Sequence, residues 1–544
     1  MPAHERKENG TLNSRKFLLL ILSATAAVIA CPAQVDSPDA AAQWWSHVSY
    51  LASDALAGRR TGTADFVKAA EYLQAQFKAA GLSPAGASGY LQDVGFEEQQ
   101  IDNAASRLDV VYEGQAVSLP VGSAAILSPY AGPDTTVDAP AVFAGYGFAV
   151  PVQHFDDLSG VDVKGKIAVV LAGSPPSVHG PLRAYFRTAA ERWKQLRAAG
   201  AVGVITIQEP RPQNAPAGPR PGEGPRPTIR LASPELNPLA GNKLSATVPI
   251  AAADALFAHS GHTLSDLEAQ AEAGKELPKF SLNVTIHAHT AVKQFSQFTA
   301  PNVAGVLEGS DRRLKKEYIV LSAHLDHLGK GRPVNGDDIY NGAMDNATGI
   351  ASLIEVAKQL AAGPRPKRSI LFLALTGEEE GELGSQYFAQ FPTVPRAQIV
   401  ADLNMDMYLP LFPLRYLEVQ GLGESSLGND VRAVAQLNDV EVQFDKQPDQ
   451  NRFIRSDQAS FVKHGIPALA FKFGWVPDSP EEKTFNDWIK NRYHKPSDDL
   501  EQPVDKNAAV LFDRILGQLA LRVANAKERP AWYPESFFAS IPRS

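Results

Sequence analysis

Apolar residues recur along this chain with two different periods, and each change of period predicts a change of element. Between residues 44 and 82 the spacing is helical. Phe66, Ala69, Ala70, Leu73, Phe77 and Ala80 recur at i, i+3 and i+4, which puts them on one face of a helix that Gly81 ends. The stretch reads as two helices around a polar, turn-rich loop at 53–63. From about residue 128 the texture turns to short β-like runs, at 141–150 and 167–171, then a helix at 189–199 and a run at 200–207. Residues 209–230 are dense in Pro, Gly and Arg, which predicts a mobile surface loop. No internal repeat stands out.

From residue 302 onward strands and helices alternate. Residues 318–323 (YIVLSA) and 370–375 (ILFLAL) are short apolar runs, as expected of strands buried on both faces. Residues 346–360 form a helix with Ile350, Leu353, Ile354, Ala357 and Leu360 on one face, and another helix runs through Phe388. Residues 403–407, 416–420 and 468–473 read as further strands. The alternation predicts an α/β fold, a mostly parallel mixed sheet sandwiched by helices. In such sheets ligands sit beyond the carboxyl ends of the strands.

Chemistry-bearing residues gather at those ends. His324 and Asp326 follow the first buried strand, and Asp345 opens the helix after it. Glu378, Glu379 and Glu380 follow the second, Asp406 ends a third, and His494 stands in a loop near the C-terminus. Zinc takes imidazole and carboxylate ligands, and two neighbouring metals need a carboxylate that bridges them. Asp345 could bridge, with His324 and Asp406 on one metal and Glu379 and His494 on the other. Asp326 is placed to orient His324 from behind. Glu378 is the spare carboxylate that could take a proton from a metal-held water. Each piece has a plainer reading. The three glutamates could stabilise a helix N-terminus, Asp345 could be a cap, and His324 could be an ordinary packed histidine. Convergence of five segments on one sheet edge favours the metal site.

Other residues are set aside. His287 and His289 read as structural, His327 is expected to face solvent, and Asp402 competes weakly with Asp406. Asp337 and Asp338 are expected to order the loop before Asp345. No Gly-x-Ser-x-Gly elbow follows a strand, and no Walker loop is present. The one cysteine excludes an intramolecular disulfide framework and any cysteine-based zinc finger. With 52 Lys+Arg against 60 Asp+Glu, the net charge of −8 argues against nucleic acid as a partner.

Near the start, Arg15-Lys16 precedes an apolar run at 17–30 that is short of the ~20 residues a membrane span needs. This reads as a secretory signal, with cleavage after Ala33. Val28-Ile29-Ala30-Cys31 also resembles a bacterial lipobox, which would leave a lipid anchor at Cys31. Either reading predicts an exported protein, secreted or periplasmic, with no membrane span.

Five motifs together carry a resemblance. They are Ser322-Ala323-His324-Leu325-Asp326, Asn341-Gly342-Ala343-Met344-Asp345-Asn346-Ala347-Thr348-Gly349, Thr376-Gly377-Glu378-Glu379, Leu403-Asn404-Met405-Asp406-Met407 and Tyr493-His494-Lys495-Pro496-Ser497-Asp498. The set resembles the di-zinc exopeptidase family of bacterial leucyl aminopeptidases, with glutamate carboxypeptidase and the transferrin receptor as more distant relatives. Residues 50–82 resemble that family's opening, and 139–207 resemble an inserted protease-associated domain. The resemblance implies two zinc ions on His324, Asp345, Glu379, Asp406 and His494, and a metal-held hydroxide with Glu378 as general base. It also suggests Tyr493 as a stabiliser of the tetrahedral intermediate. Relatives often carry Ser-Asp-His where this chain has Ser456-Asp457-Gln458, a departure that bears on substrate preference more than on the metals.

The expected organisation is a signal segment at 1–33, a peptidase domain at 34–127 and 291–526, an inserted β-rich domain at 128–290 and a tail at 527–544. The expected activity is removal of N-terminal residues from peptides. The alternatives are a carboxypeptidase of the same family, an inactive binding protein on the same fold, and a one-zinc glutaminyl cyclase. The last two sit poorly with a complete ligand set.

Overall fold

A computed structural model describes residues 38–132, 134–178, 180–208 and 227–543. The signal segment, with Cys31, and most of the Pro/Gly/Arg-rich stretch lie outside the described residues. Two helices open the described chain, Pro38–Leu51 and Ala64–Ala79. The second starts where Thr63 accepts a hydrogen bond from the Phe66 N–H, and it buries Phe66, Ala69, Ala70, Leu73 and Phe77. Gly81 follows with φ +80, a conformation glycine adopts without steric cost.

The larger sheet has ten strands. Its order across the sheet is Thr228–Leu231, Leu91–Ile101, Val292–Leu307, Ser369–Leu375, Tyr318–His324, Ile399–Asn404, Ala468–Phe473, Tyr416–Gln420 and Glu441–Gln443, with the short Ser83–Pro84 beside Val292–Leu307. The centre, from Ser369–Leu375 to Ala468–Phe473, is parallel. Antiparallel pairs flank it on both sides. The sheet is therefore mixed, with a parallel core that helices cover. Every residue of Ser369–Leu375 is buried, which explains why those strands read as unbroken apolar runs. The helix Thr348–Ala362 buries Ile350, Leu353, Ile354, Ala357 and Leu360, the face read from the sequence.

A second sheet of eight strands is built from residues 107–290. It begins upstream of residue 128, because Arg107–Tyr112 and Gln115–Ser118 form a hairpin that turns at Glu113 and Gly114, both at positive φ. Thr228–Leu231, from within the expected insertion, instead joins the larger sheet beside Leu91–Ile101, where Arg230 meets Glu97 at 2.7 Å. The strand Lys279–Thr290 leads directly into Val292–Leu307 and so joins the two sheets. The C-terminal segment packs against the body: Phe538 is buried, and the Trp532 Nε1–H donates to the Gly465 carbonyl at 3.0 Å. Among the described residues no helix is long and apolar enough to cross a membrane.

Candidate metal centre

The parallel register sets the site. Tyr318–His324 and Ser369–Leu375 run level, with His324 beside Leu375, so both chains leave the sheet at the same edge. Ile399–Asn404 ends there too. Two residues on, Asp406 lies in a turn where Met407 and Leu409 adopt positive φ. The buried Lys472 ammonium donates to the Met407 carbonyl at 3.0 Å and holds that turn. Asp345 lies at a kink within Ala343–Ala347, where it and Asn346 leave helical geometry just ahead of the helix Thr348–Ala362. Its loop is anchored by Asp498, whose carboxylate accepts the N–H groups of Met344 at 2.9 Å and Asp345 at 3.0 Å.

Asp345 faces two ways. Its Oδ1 lies 3.2 Å from His324 Nε2, and its Oδ2 lies 3.4 Å from His494 Nε2. His324 Nε2 is also 3.3 Å from Asp406 Oδ1, and His494 Nε2 is 3.1 Å from Glu379 Oε2. Two ligand groups thus meet at one buried carboxylate. The structure brings all five residues expected to bind metal into this cluster.

Asp326 sits behind them, and its carboxylate accepts the backbone N–H groups of Glu378 at 3.2 Å and Glu379 at 3.4 Å. Its Oδ1 is 3.9 Å from His324 Nδ1, while its own backbone carbonyl lies 3.2 Å from that nitrogen. The backbone carbonyl is therefore the atom that orients the ring, and the carboxylate fixes the loop carrying both glutamates. The Tyr493 ring stacks on His494, with centroids 3.9 Å apart.

Electrostatics mark the cluster as short of positive charge. Burial alone would raise Asp345, but hydrogen bonds from His324 and His494 hold it well below the usual carboxylate range. Burial would likewise raise Glu379, yet His494 and His327 bring it to about 2. Burial opposes a charged His494, but Glu379 and Asp345 outweigh it and lift the ring to about 10. Glu378 differs from its neighbours. Burial pushes it well above its ordinary value, and Asp406, Asp457 and Glu379 add to that rise. A set of imidazoles and carboxylates this dense and this buried fits divalent cations, which supply the charge the protein lacks.

His327 corrects one expectation. It does not face solvent: it is fully buried, because the chain after His324 turns inward beneath Gly342. Its Nδ1 lies 2.6 Å from Glu379 Oε1 and 3.9 Å from Asp345 Oδ2. The sequence held a signal for it in the His-x-x-His spacing of His324 and His327. Arg59 was also missed. Buried in the loop between the first two helices, it donates to the carbonyls of Leu51, Leu325, Asn341, Gly342 and Asp345. Glu380 faces outward to Arg60 at 3.0 Å. Asp402 accepts from the Ser322 hydroxyl at 2.7 Å within the sheet and does not join the cluster. His287 stands on the second sheet, 3.3 Å from Asp138. Gln458 is structural: its Oε1 accepts from Asn404 at 2.7 Å, and its amide donates to the carbonyls of Arg452 and Phe453.

Comparison with known proteins adds four findings. Residues 302–520 match the model of Peptidase family M28. A probable leucine aminopeptidase of Arthroderma benhamiae is 27% identical over 210 residues, 37% of this chain and 52% of that protein. A probable zinc metalloprotease of Pyrenophora teres f. teres is 33% identical over 105 residues, 19% of this chain and 22% of that protein. The chain thus spans between about a fifth and half of the length of these curated relatives. Among solved structures, an aminopeptidase from Aneurinibacillus sp. strain AM-1 aligns over 93% of this chain and 97% of its own, at 20% identity and a TM-score of 0.49.

Proposed function

We propose that this chain, whose residues 302–520 match the model of Peptidase family M28, is a di-zinc exopeptidase that removes N-terminal residues from peptides. The observation that carries this reading is the two-sided contact of Asp345, one oxygen toward His324 and the other toward His494. That is the arrangement a bridging carboxylate needs. His324 and Asp406 would hold one zinc, and Glu379 and His494 the other. Zinc ions there would supply Lewis acidity to the scissile carbonyl and to a water.

The remaining steps belong to the protein. Glu378, beside Glu379 and without a ligand role, is the carboxylate that would accept a proton at Oε from the attacking water and return it to the leaving amine. Tyr493 stays protonated, since burial and the nearby carboxylates keep its pKa well above the ordinary value, so its O–H is available to the developing oxyanion. The names of the relatives favour attack at the amino end over the carboxyl end. Export is part of the same proposal and rests on Arg15-Lys16 and the apolar run at 17–30. A protease-associated role for the second sheet is a further part of the proposal, and it rests on the resemblance carried by residues 139–207.

The test is Glu378→Gln. The variant should retain two zinc ions by elemental analysis and lose turnover by ~10²–10⁴-fold. Undiminished kcat would contradict the role of Glu378.

A further inference from the structure

His327 lies outside the five-ligand set, yet it is the most deeply buried imidazole on the Glu379 side of the centre. Neither ring nitrogen has a hydrogen-bond partner, and neither does Glu379 Oε1. Nδ1 and Glu379 Oε1 approach to 2.6 Å without the alignment of a hydrogen bond. A buried imidazole whose two nitrogens make no hydrogen bond is an expensive arrangement that calls for a missing partner. The donor atoms of His327, Asp345 and Glu379 lie within 4.8 Å of one another, the spread of atoms that surround one ion.

The ring is also seated by design of the backbone. Gly342 stands at φ +63, and a Cβ there would come within 2.5 Å of His327 Cγ. The loop carrying Asp345 gives up a side chain to admit this imidazole. His327 and His494 approach the same two carboxylates from different directions, with ring centroids 6.0 Å apart and planes inclined at 62°.

We infer that His327 is a fourth protein ligand of the metal position formed by Asp345, Glu379 and His494. The inference rests on the two-metal reading above. It makes the two positions unequal: one offers two imidazoles and two carboxylates, the other one imidazole and two carboxylates. The richer position fills first with zinc, because each further imidazole favours zinc over the harder divalent ions.

The experiment compares the full chain with its His327→Ala and His327→Asn variants. Zinc content is measured after dialysis, and zinc affinity by competition with a chelator. The wild type should hold two ions. His327→Ala should keep one and bind the other ~100-fold or more weakly, beyond the ~10–100-fold that loss of an outer hydrogen bond costs. His327→Asn should behave like His327→Ala, since its amide can donate to Glu379 but is a poor zinc ligand. Thermal midpoints of the metal-free proteins report folding, and His327→Asn, closer in size to histidine, carries the test if the alanine variant is unstable. Two ions held by His327→Ala within ~3-fold of wild-type affinity would overturn the inference. So would full recovery in His327→Asn, which would reduce His327 to a hydrogen-bond donor. Fewer than two ions on the wild type would count against the two-metal reading itself, whereas the difference between wild type and variants reads His327 alone.

Discussion

A buried guanidinium is tolerated only where its N–H groups find acceptors, and Arg59 finds them in the loops that carry the ligands. Its Nε donates to the Leu325 carbonyl, one residue past His324, at 2.8 Å. Its Nη2 reaches the carbonyls of Gly342 at 2.7 Å and Asp345 at 3.3 Å. Burial lowers its pKa to about 10, with Asp345 and Asp498 opposing, so it stays charged at neutral pH and offsets part of the carboxylate cluster. Arg59→Met would strand several buried carbonyls and should cost at least ~3 kcal/mol in urea unfolding of the metal-free chain. A loss below ~1 kcal/mol would contradict this account. None of this could be read from Gly58-Arg59-Arg60, because sequence alone does not say which of two adjacent arginines turns inward. The same limit hid His327, whose ring occupies the space a Cβ on Gly342 would take, a packing relation across a loop that the sequence does not spell out.

At the scale of elements the strand ends were legible. The unbroken apolar runs of the parallel centre allow no surface face, so the first polar residues after them had to lie at the sheet's edge. Breaks in pattern were harder. Residues 403–407 read as strand, but pairing stops at Asn404, because Met407 and Leu409 turn at positive φ. Residues 378–380 read equally as a helix start, yet the helix begins at Leu383, and the intervening turn frees Glu378 and Glu379 for the site. The loops beside the second sheet hold a buried carboxylate of their own. Asp157 accepts the Tyr146 N–H at 2.5 Å, and burial pushes its pKa to about 6 despite that bond and Lys279. A carboxyl whose pKa rises on folding favours the fold below the unfolded value and weakens it as pH climbs toward the folded value. The group therefore costs on the order of 2 kcal/mol above pH 6 and little near pH 4. Asp157→Asn should gain about that much relative to wild type between pH 4.5 and pH 7, read as the shift in urea midpoint. A difference that does not change with pH would contradict the assignment.

At the scale of the molecule, the strand ends of the larger sheet bring His324, Glu379 and Asp406, while Asp345 comes from the turn that opens the helix Thr348–Ala362, Arg59 from the N-terminal loop, and His494 with Asp498 from the loop after Pro480–Asn491. The change of texture near residue 128 falls inside the second sheet, whose first strands are the hairpin Arg107–Tyr112 and Gln115–Ser118. That hairpin resembles the strands on either side of it, so no change of period marks where the sheet starts. The proposed activity is cleavage of peptides from the amino end by the metal-loaded centre. It is tested most directly by incubating one peptide in free, N-acetylated and C-amidated forms with the zinc-loaded chain. Products are followed by mass spectrometry, with a chelator control. Stepwise loss of N-terminal residues is expected, abolished by acetylation and by the chelator and indifferent to amidation. Loss from the carboxyl end, blocked by amidation, or cleavage that survives the chelator would contradict it.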